Sequence, residues 1–112
     1  MPDLAIVAIP AAVIGEELKQ IGEKGIKNVI VITSGFKETG PEGEKLENEL
    51  IETAKKYELN LLGPNCMGFI NNQVPINATF GQPVNQSGNL RFITQSGAIA
   101  ASIFDWCKET GL

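Results

Sequence analysis

Two short runs of unbroken apolar residues decide most of what this chain can become. Leu4-Ala5-Ile6-Val7-Ala8-Ile9 ends at Pro10, and Val29-Ile30-Val31-Ile32 ends at Thr33-Ser34-Gly35. Runs of this length, rich in β-branched residues, are too short for helices and lack the polar alternation of a half-exposed strand. They read as strands of a parallel sheet with both faces covered. Between them Ala11, Ile14, Leu18 and Ile21 recur at helical spacing, with Gly25 as the stop. A second stripe of Leu46, Leu50, Ala54 and Tyr57 precedes a third, shorter strand, Asn60-Leu61-Leu62, closed by Gly63-Pro64. This alternation of strand and helix is the α/β pattern. A fourth strand is expected at Leu90-Arg91-Phe92-Ile93-Thr94. It runs into a helix that starts near Ser96, aligns Ile99, Ile103 and Trp106, and stops at Gly111.

Composition narrows the chemistry. The 112 residues contain no His, which removes Ser/His/Asp and Cys/His nucleophilic machinery, His metal ligands and any histidine that could carry phosphate. Nine Lys+Arg against 13 Asp+Glu give a net charge of −4, and Arg91 is the one arginine, so no basic surface for nucleic acid is expected. Cys66 and Cys107 match no metal spacing. No apolar run approaches the ~18 residues of a membrane span, and the N-terminus has no signal-peptide pattern; a soluble, cytoplasmic protein is expected. No G-x-x-x-x-G-K-[ST] or G-x-G-x-x-G occurs, so nucleotide binding by those loops is excluded.

Ligands of open parallel sheets bind beyond the carboxyl ends of the strands. Those ends read Pro10-Ala11-Ala12, Thr33-Ser34-Gly35, Gly63-Pro64-Asn65-Cys66 and Thr94-Gln95-Ser96-Gly97. All are small, polar or glycine-bearing, as ordinary α/β turns also are. The sharpest of them is Ser96-Gly97-Ala98, where a helix opening leaves amide groups that can receive a phosphate or carboxylate. On pattern alone, the same serine reads first as a plain N-cap. The stretch 65–89 is rich in Asn with no helical stripe, and reads as a connection between two structural units in which Met67-Gly68-Phe69-Ile70 forms a short extended piece. A chain that opens on a buried strand and closes one helix into a new unit is expected to be cut from a longer protein.

Five segments together carry a family resemblance: residues 3–10 (DLAIVAIP), 32–38 (ITSGFKE), 62–71 (LGPNCMGFIN), 77–80 (NATF) and 94–98 (TQSGA). In this order they resemble the ADP-forming acyl-CoA synthetases, relatives of the succinyl-CoA synthetase α subunit. The resemblance implies a Rossmann-like, parallel-sheet CoA-binding fold followed by the start of a flavodoxin-like ligase domain. Residues 1–72 would be the C-terminal half of the CoA-binding domain, 73–89 a connection, and 90–112 the first strand and helix of the next domain. It implies coenzyme A contacts at Ile32, Thr33 and Ser34, and a phosphate received at Ser96, Gly97 and Ala98. Ala101 stands where the succinyl enzymes carry a substrate-contacting tyrosine, which points to a smaller or more apolar acid.

The parent reaction so implied interconverts acyl-CoA, ADP and phosphate with carboxylic acid, CoA and ATP, relayed through a phosphohistidine outside this chain. ADP/ATP and magnesium would act in the whole enzyme and not on this stretch alone, which should be inactive and bind CoA weakly because the glycine-rich CoA loop of the family precedes it. The expected partners are a short-chain acid or its acyl-CoA, the remaining domains or a β subunit, and a second copy of the chain; neither nucleic acid nor membrane is expected. The alternative is a non-catalytic CoA-binding, regulatory domain fused to a protein lysine acetyltransferase.

Overall fold

The computed structural model describes residues 1–81 and 87–112. Its contacts divide the chain into two units, Met1–Cys66 and Met67–Leu112. The first unit runs β1 (Leu4–Val7), α1 (Ala11–Glu23), β2 (Asn28–Val31), a 3₁₀ turn (Lys37–Thr39), α2 (Pro41–Lys56) and β3 (Asn60–Leu62). The strands form a parallel sheet in the order β1-β2-β3, with Ala5 beside Val29 and Val29 beside Leu61. This is the α/β arrangement expected from the alternating pattern, and the Rossmann-like, parallel-sheet fold that the resemblance implies.

Each helix starts and stops where its sequence requires. Pro41 opens α2, where a missing N–H costs nothing; Glu42 and Glu44 lie in its first turn and Lys55 and Lys56 in its last, complementing the helix dipole. Gly25 follows α1 at φ +80°, a conformation that favours glycine. The stripes of both helices turn to one face of the sheet. Ile14, Leu18, Leu50 and Ala54 close over Val7, Val29 and Val31, and Phe36 completes the core from the loop after β2. Burying side chains of this kind contributes about 1.5–3 kcal/mol each.

The other face departs from the expectation that both faces would be covered. Ile6 and Leu62, which flank buried Ile30 there, are 51% and 42% exposed. The reason is topological. Both crossovers step in the same direction across the sheet, and right-handed connections then place both helices on the same side.

The second unit holds β4 (Gly68–Asn71) and β5 (Ile76–Thr79), an antiparallel hairpin, and α3 (Gly97–Thr110). The Asn71 carboxamide turns the hairpin by accepting from the Gln73 and Val74 amides at 3.0 and 3.2 Å. Gly68 is obligatory, since a Cβ there would fall 1.8 Å from the Ala78 carbonyl oxygen. The hairpin occupies part of the stretch 73–89 read as a connection; residues 82–86 of that stretch lie outside the described residues. The strand expected at 90–94 does not form. Phe92 and Ile93 are 57% and 96% exposed, and no neighbouring strand among the described residues offers 90–94 a ladder. Apolar sequence without a pairing partner does not make a strand. The α3 stripe does form on its helix, but Ile99 and Trp106 remain 53% and 52% exposed.

Candidate functional site

The carboxyl ends of β1, β2 and β3 are drawn together by one residue. The Thr33 hydroxyl donates to the Ile9 carbonyl at 2.7 Å, while the Thr33 carbonyl accepts the Asn65 amide at 2.9 Å. The Ile32 amide donates to the Val7 carbonyl at 3.0 Å, extending the β1–β2 ladder past its last paired residue. Asn65 reaches its position at φ +53°, behind Gly63 at φ +97°. A Cβ on Gly63 would lie 2.2 Å from the Val31 carbonyl oxygen, so the third strand end approaches the second only because this residue is glycine.

Around Thr33 the surface is small and neutral. Ile32 and Thr33 are half-buried and Ser34 is exposed. The Ser34 hydroxyl has no protein partner among the described residues. Gly35, at φ +105°, faces the first residue of α1, and a Cβ there would come within 3.3 Å of the Ala11 Cβ. Pro10 supplies no side-chain cap to α1, so the first-turn amides of Ala11 and Ala12 open at the same end of the sheet. The two loops meet at the carboxyl ends of the strands, where an open parallel sheet has its crevice, and backbone and hydroxyl groups can line it closely. Cys66 is half-buried and its thiol donates to the Val31 carbonyl at 3.4 Å, a packing role.

The loop beyond Ser34 is clamped by carboxylates. Glu38 Oε1 accepts the amides of Gly35 and Phe36, the latter at 3.1 Å. Glu47 accepts the Lys37 amide at 3.2 Å and lies 3.5 Å from the Lys37 ammonium. The Gly35 amide, and after it the Glu38 amide, hold the Glu38 carboxyl below the usual glutamate range; desolvation opposes them, and the Phe36 amide and the Lys37 charge add to the lowering.

At the other predicted position, Ser96 is an N-cap. Its Oγ accepts the Ile99 amide at 3.3 Å, and its own amide donates to Thr94 Oγ1 at 3.0 Å. Gly97 and Ala98 open α3 with first-turn amides not used by the cap. Ala101 lines a cavity of about 290 Å³ with Met67, Phe80, Gly81, Phe104 and Asp105. A larger depression of about 640 Å³ runs along the outer face of α2 past Glu44, Glu49 and Glu52. Three glutamates against one lysine, Lys45, make its lining acidic on balance and disfavour a polyanion there. No cluster of three or more His, Cys, Asp or Glu suited to a metal occurs among the described residues. No helix among them is long and apolar enough to cross a membrane.

The CoA-binding domain family matches residues 1–72, the whole of the sheet and its strand-end crevice. The chain belongs to this family. This chain is 42% identical over 110 residues to acetate–CoA ligase [ADP-forming] I of Archaeoglobus fulgidus, covering 98% of this chain and 16% of that protein. It is 48% identical over 101 residues to the α subunit of acetate–CoA ligase [ADP-forming] II of Pyrococcus furiosus, covering 90% of this chain and 22% of the subunit. A crystal structure from Pyrococcus horikoshii superposes with a TM-score of 0.92 at 45% identity, over 98% of this chain and 25% of that one. The chain thus spans about a fifth of the length of these relatives.

The residues of the crevice fit part of coenzyme A. Small side chains, a free hydroxyl and uncapped amides can meet its amide and hydroxyl groups. The lysine in the loop beyond Ser34, Lys37, is paired with Glu47 at 3.5 Å. Gly35, Gly63 and Ala11 stand at strand ends that the sequence marks as small or glycine-bearing; the close approaches add what each of them does there.

Proposed function

We propose that this CoA-binding domain serves a longer ADP-forming acid–CoA ligase, one that interconverts acyl-CoA, ADP and phosphate with a carboxylic acid, CoA and ATP. The observation that carries the reading is the strand-end crevice around Thr33, in a chain that shares 42–48% identity with two proteins named as ADP-forming acetate–CoA ligases. Within it Ile32, Thr33 and Ser34 contact coenzyme A: Ser34 offers its hydroxyl, and Thr33 holds the three strand ends in register. The CoA-binding domain extends over 1–72. Residues 90–112 begin the next domain, where 90–94 pairs as a strand once neighbouring strands are present. There Gly97 and Ala98 present their amides to the transferred phosphoryl group, and Ser96 holds the helix opening in shape.

The phosphohistidine of the relay lies on another domain, since this sequence contains no His. Nucleotide and magnesium belong to those other parts, whether fused or carried on a β subunit. A short-chain acid is the preferred substrate, the enzyme acts in the cytoplasm, and copies of the whole protein associate. The test is an assay of the whole protein that carries this segment, with acetate, coenzyme A and ATP. Acetyl-CoA formed together with ADP is expected. AMP as the nucleotide product, or no thioester at all, refutes the reading. The 112 residues alone are expected to give no turnover.

A further inference from the structure

The loop that follows β2 takes its shape from carboxylates. Consecutive amides exposed on the open side of a turn make a concave site for an anion. Here the amides of Gly35, Phe36 and Lys37 are in that situation, yet each is filled from within the chain, two by Glu38 and one by Glu47. Thr39 closes the same turn: its amide and its hydroxyl both donate to the Phe36 carbonyl, at 2.9 and 2.8 Å. Ser34 precedes this turn directly, so its hydroxyl lies where the turn puts it. Phe36, the turn's second residue, is anchored in the core at 1% exposure, which leaves the Gly35 side as the part that Glu38 must hold.

We propose that Glu38 is a positioning residue of the crevice: an internal anion that fixes the turn at Gly35 and Phe36 and so sets where Thr33 and Ser34 meet the ligand. The choice of coenzyme A as that ligand rests on the function proposed above; the hold on the loop does not. Glu38 is exposed and contributes nothing to the apolar core, so a merely solubilising carboxylate there would be replaceable without consequence. Its acidity agrees with the assignment, since the Gly35 amide first, and its neighbours after it, keep the carboxyl ionised.

The test uses the ¹⁵N-labelled chain, as wild type, Glu38→Ala and Glu38→Gln, with amide exchange measured first and coenzyme A titrated second. Gln keeps an oxygen acceptor at the same reach, so it should rescue what Ala loses. In Glu38→Ala the Gly35 and Phe36 amides are expected to exchange about tenfold faster, with Val29 and Val31 unchanged. Coenzyme A affinity should fall about tenfold in the same variant, and both quantities should stay within about threefold of wild type in Glu38→Gln. Unchanged exchange at Gly35 and Phe36 in Glu38→Ala overturns the proposal, as does unchanged affinity or a loss in Glu38→Gln as large as in Glu38→Ala. If Glu38→Ala also loses protection at Val29 and Val31, Glu38→Asp, which withdraws the carboxylate by one methylene, replaces it under the same criteria. A wild-type chain that ignores coenzyme A removes the ligand reading alone, and the exchange measurement still decides whether Glu38 holds the loop.

Discussion

Gly43→Ala reverses the usual sign of a glycine substitution in a helix. Gly43 lies in the first turn of α2 and is buried. By helix propensity alone the change should stabilise by up to about 1 kcal/mol. The structure opposes this, because the added Cβ would lie 1.8 Å from the Phe36 carbonyl oxygen and 2.3 Å from Thr39 Oγ1. A carbon and a carbonyl oxygen approach to about 3.3 Å at closest, so the helix start and the loop must separate by about 1.5 Å, the difference between 3.3 and 1.8 Å. The obstructing atom is backbone, and Phe36 behind it is locked in the core, so neither side yields cheaply. Overpacking of this severity belongs at the upper end of the usual range, about 3 kcal/mol. Net of the propensity gain, a loss of about 2 kcal/mol is expected. For a unit of this size that lowers the melting temperature by about 10 °C.

The control is Gly15→Ala in α1, where the new methyl meets nothing within 4 Å. It should stabilise by about 0.5–1 kcal/mol and raise the melting temperature by a few degrees. Thermal unfolding followed through the Val29 and Val31 amides reads the first unit directly. A rise for Gly43→Ala matching that for Gly15→Ala would refute the close approach of α2 to the loop.

Three further outcomes follow from the same contacts. Thr33→Val removes the hydroxyl bond to Ile9 while keeping the shape, and should cost about 1 kcal/mol in a denaturant titration of the first unit. Ser96→Ala should weaken α3 by about 1 kcal/mol, read as loss of helical circular dichroism on heating, and leave the Val29 and Val31 signals unmoved. The Glu38 carboxyl is held below its unfolded value, so its contribution to stability is complete above the ordinary glutamate range and is lost as pH falls through the lowered value. An acid titration of wild type against Glu38→Gln should therefore show the wild type losing more stability on acidification; parallel curves would contradict the Glu38 contacts.

The first unit is largely legible in its sequence. Runs without polar interruption gave β1 and β2, and the stripes of Ile14 and Leu18 and of Leu50 and Ala54 gave the helices. Local periodicity and burial agree there. The second unit was harder to read for two opposite reasons. Residues 90–94 have strand-like composition but no partner, and pairing is a tertiary property that no local pattern carries. Ile76-Asn77-Ala78-Thr79 looks unpromising for a strand, yet it pairs because Gly68 lets the facing strand approach and Asn71 turns the chain back.

The site divides in the same way. Ser34 and Ser96 stand at helix and strand ends that glycine and polar residues announce. The clamp formed by Glu38 and Glu47 was hidden among ordinary surface glutamates, since reaching back to an amide leaves no mark on sequence spacing.

Titration of coenzyme A into the ¹⁵N-labelled chain tests the central claim most directly. Saturable shifts in the millimolar range, confined to Ala11, Ile32, Thr33, Ser34 and their immediate neighbours, are predicted, with the acidic outer face of α2 silent. Strand-end amides that stay still, or shifts gathered on another surface, would contradict the assignment of the crevice as the coenzyme A site.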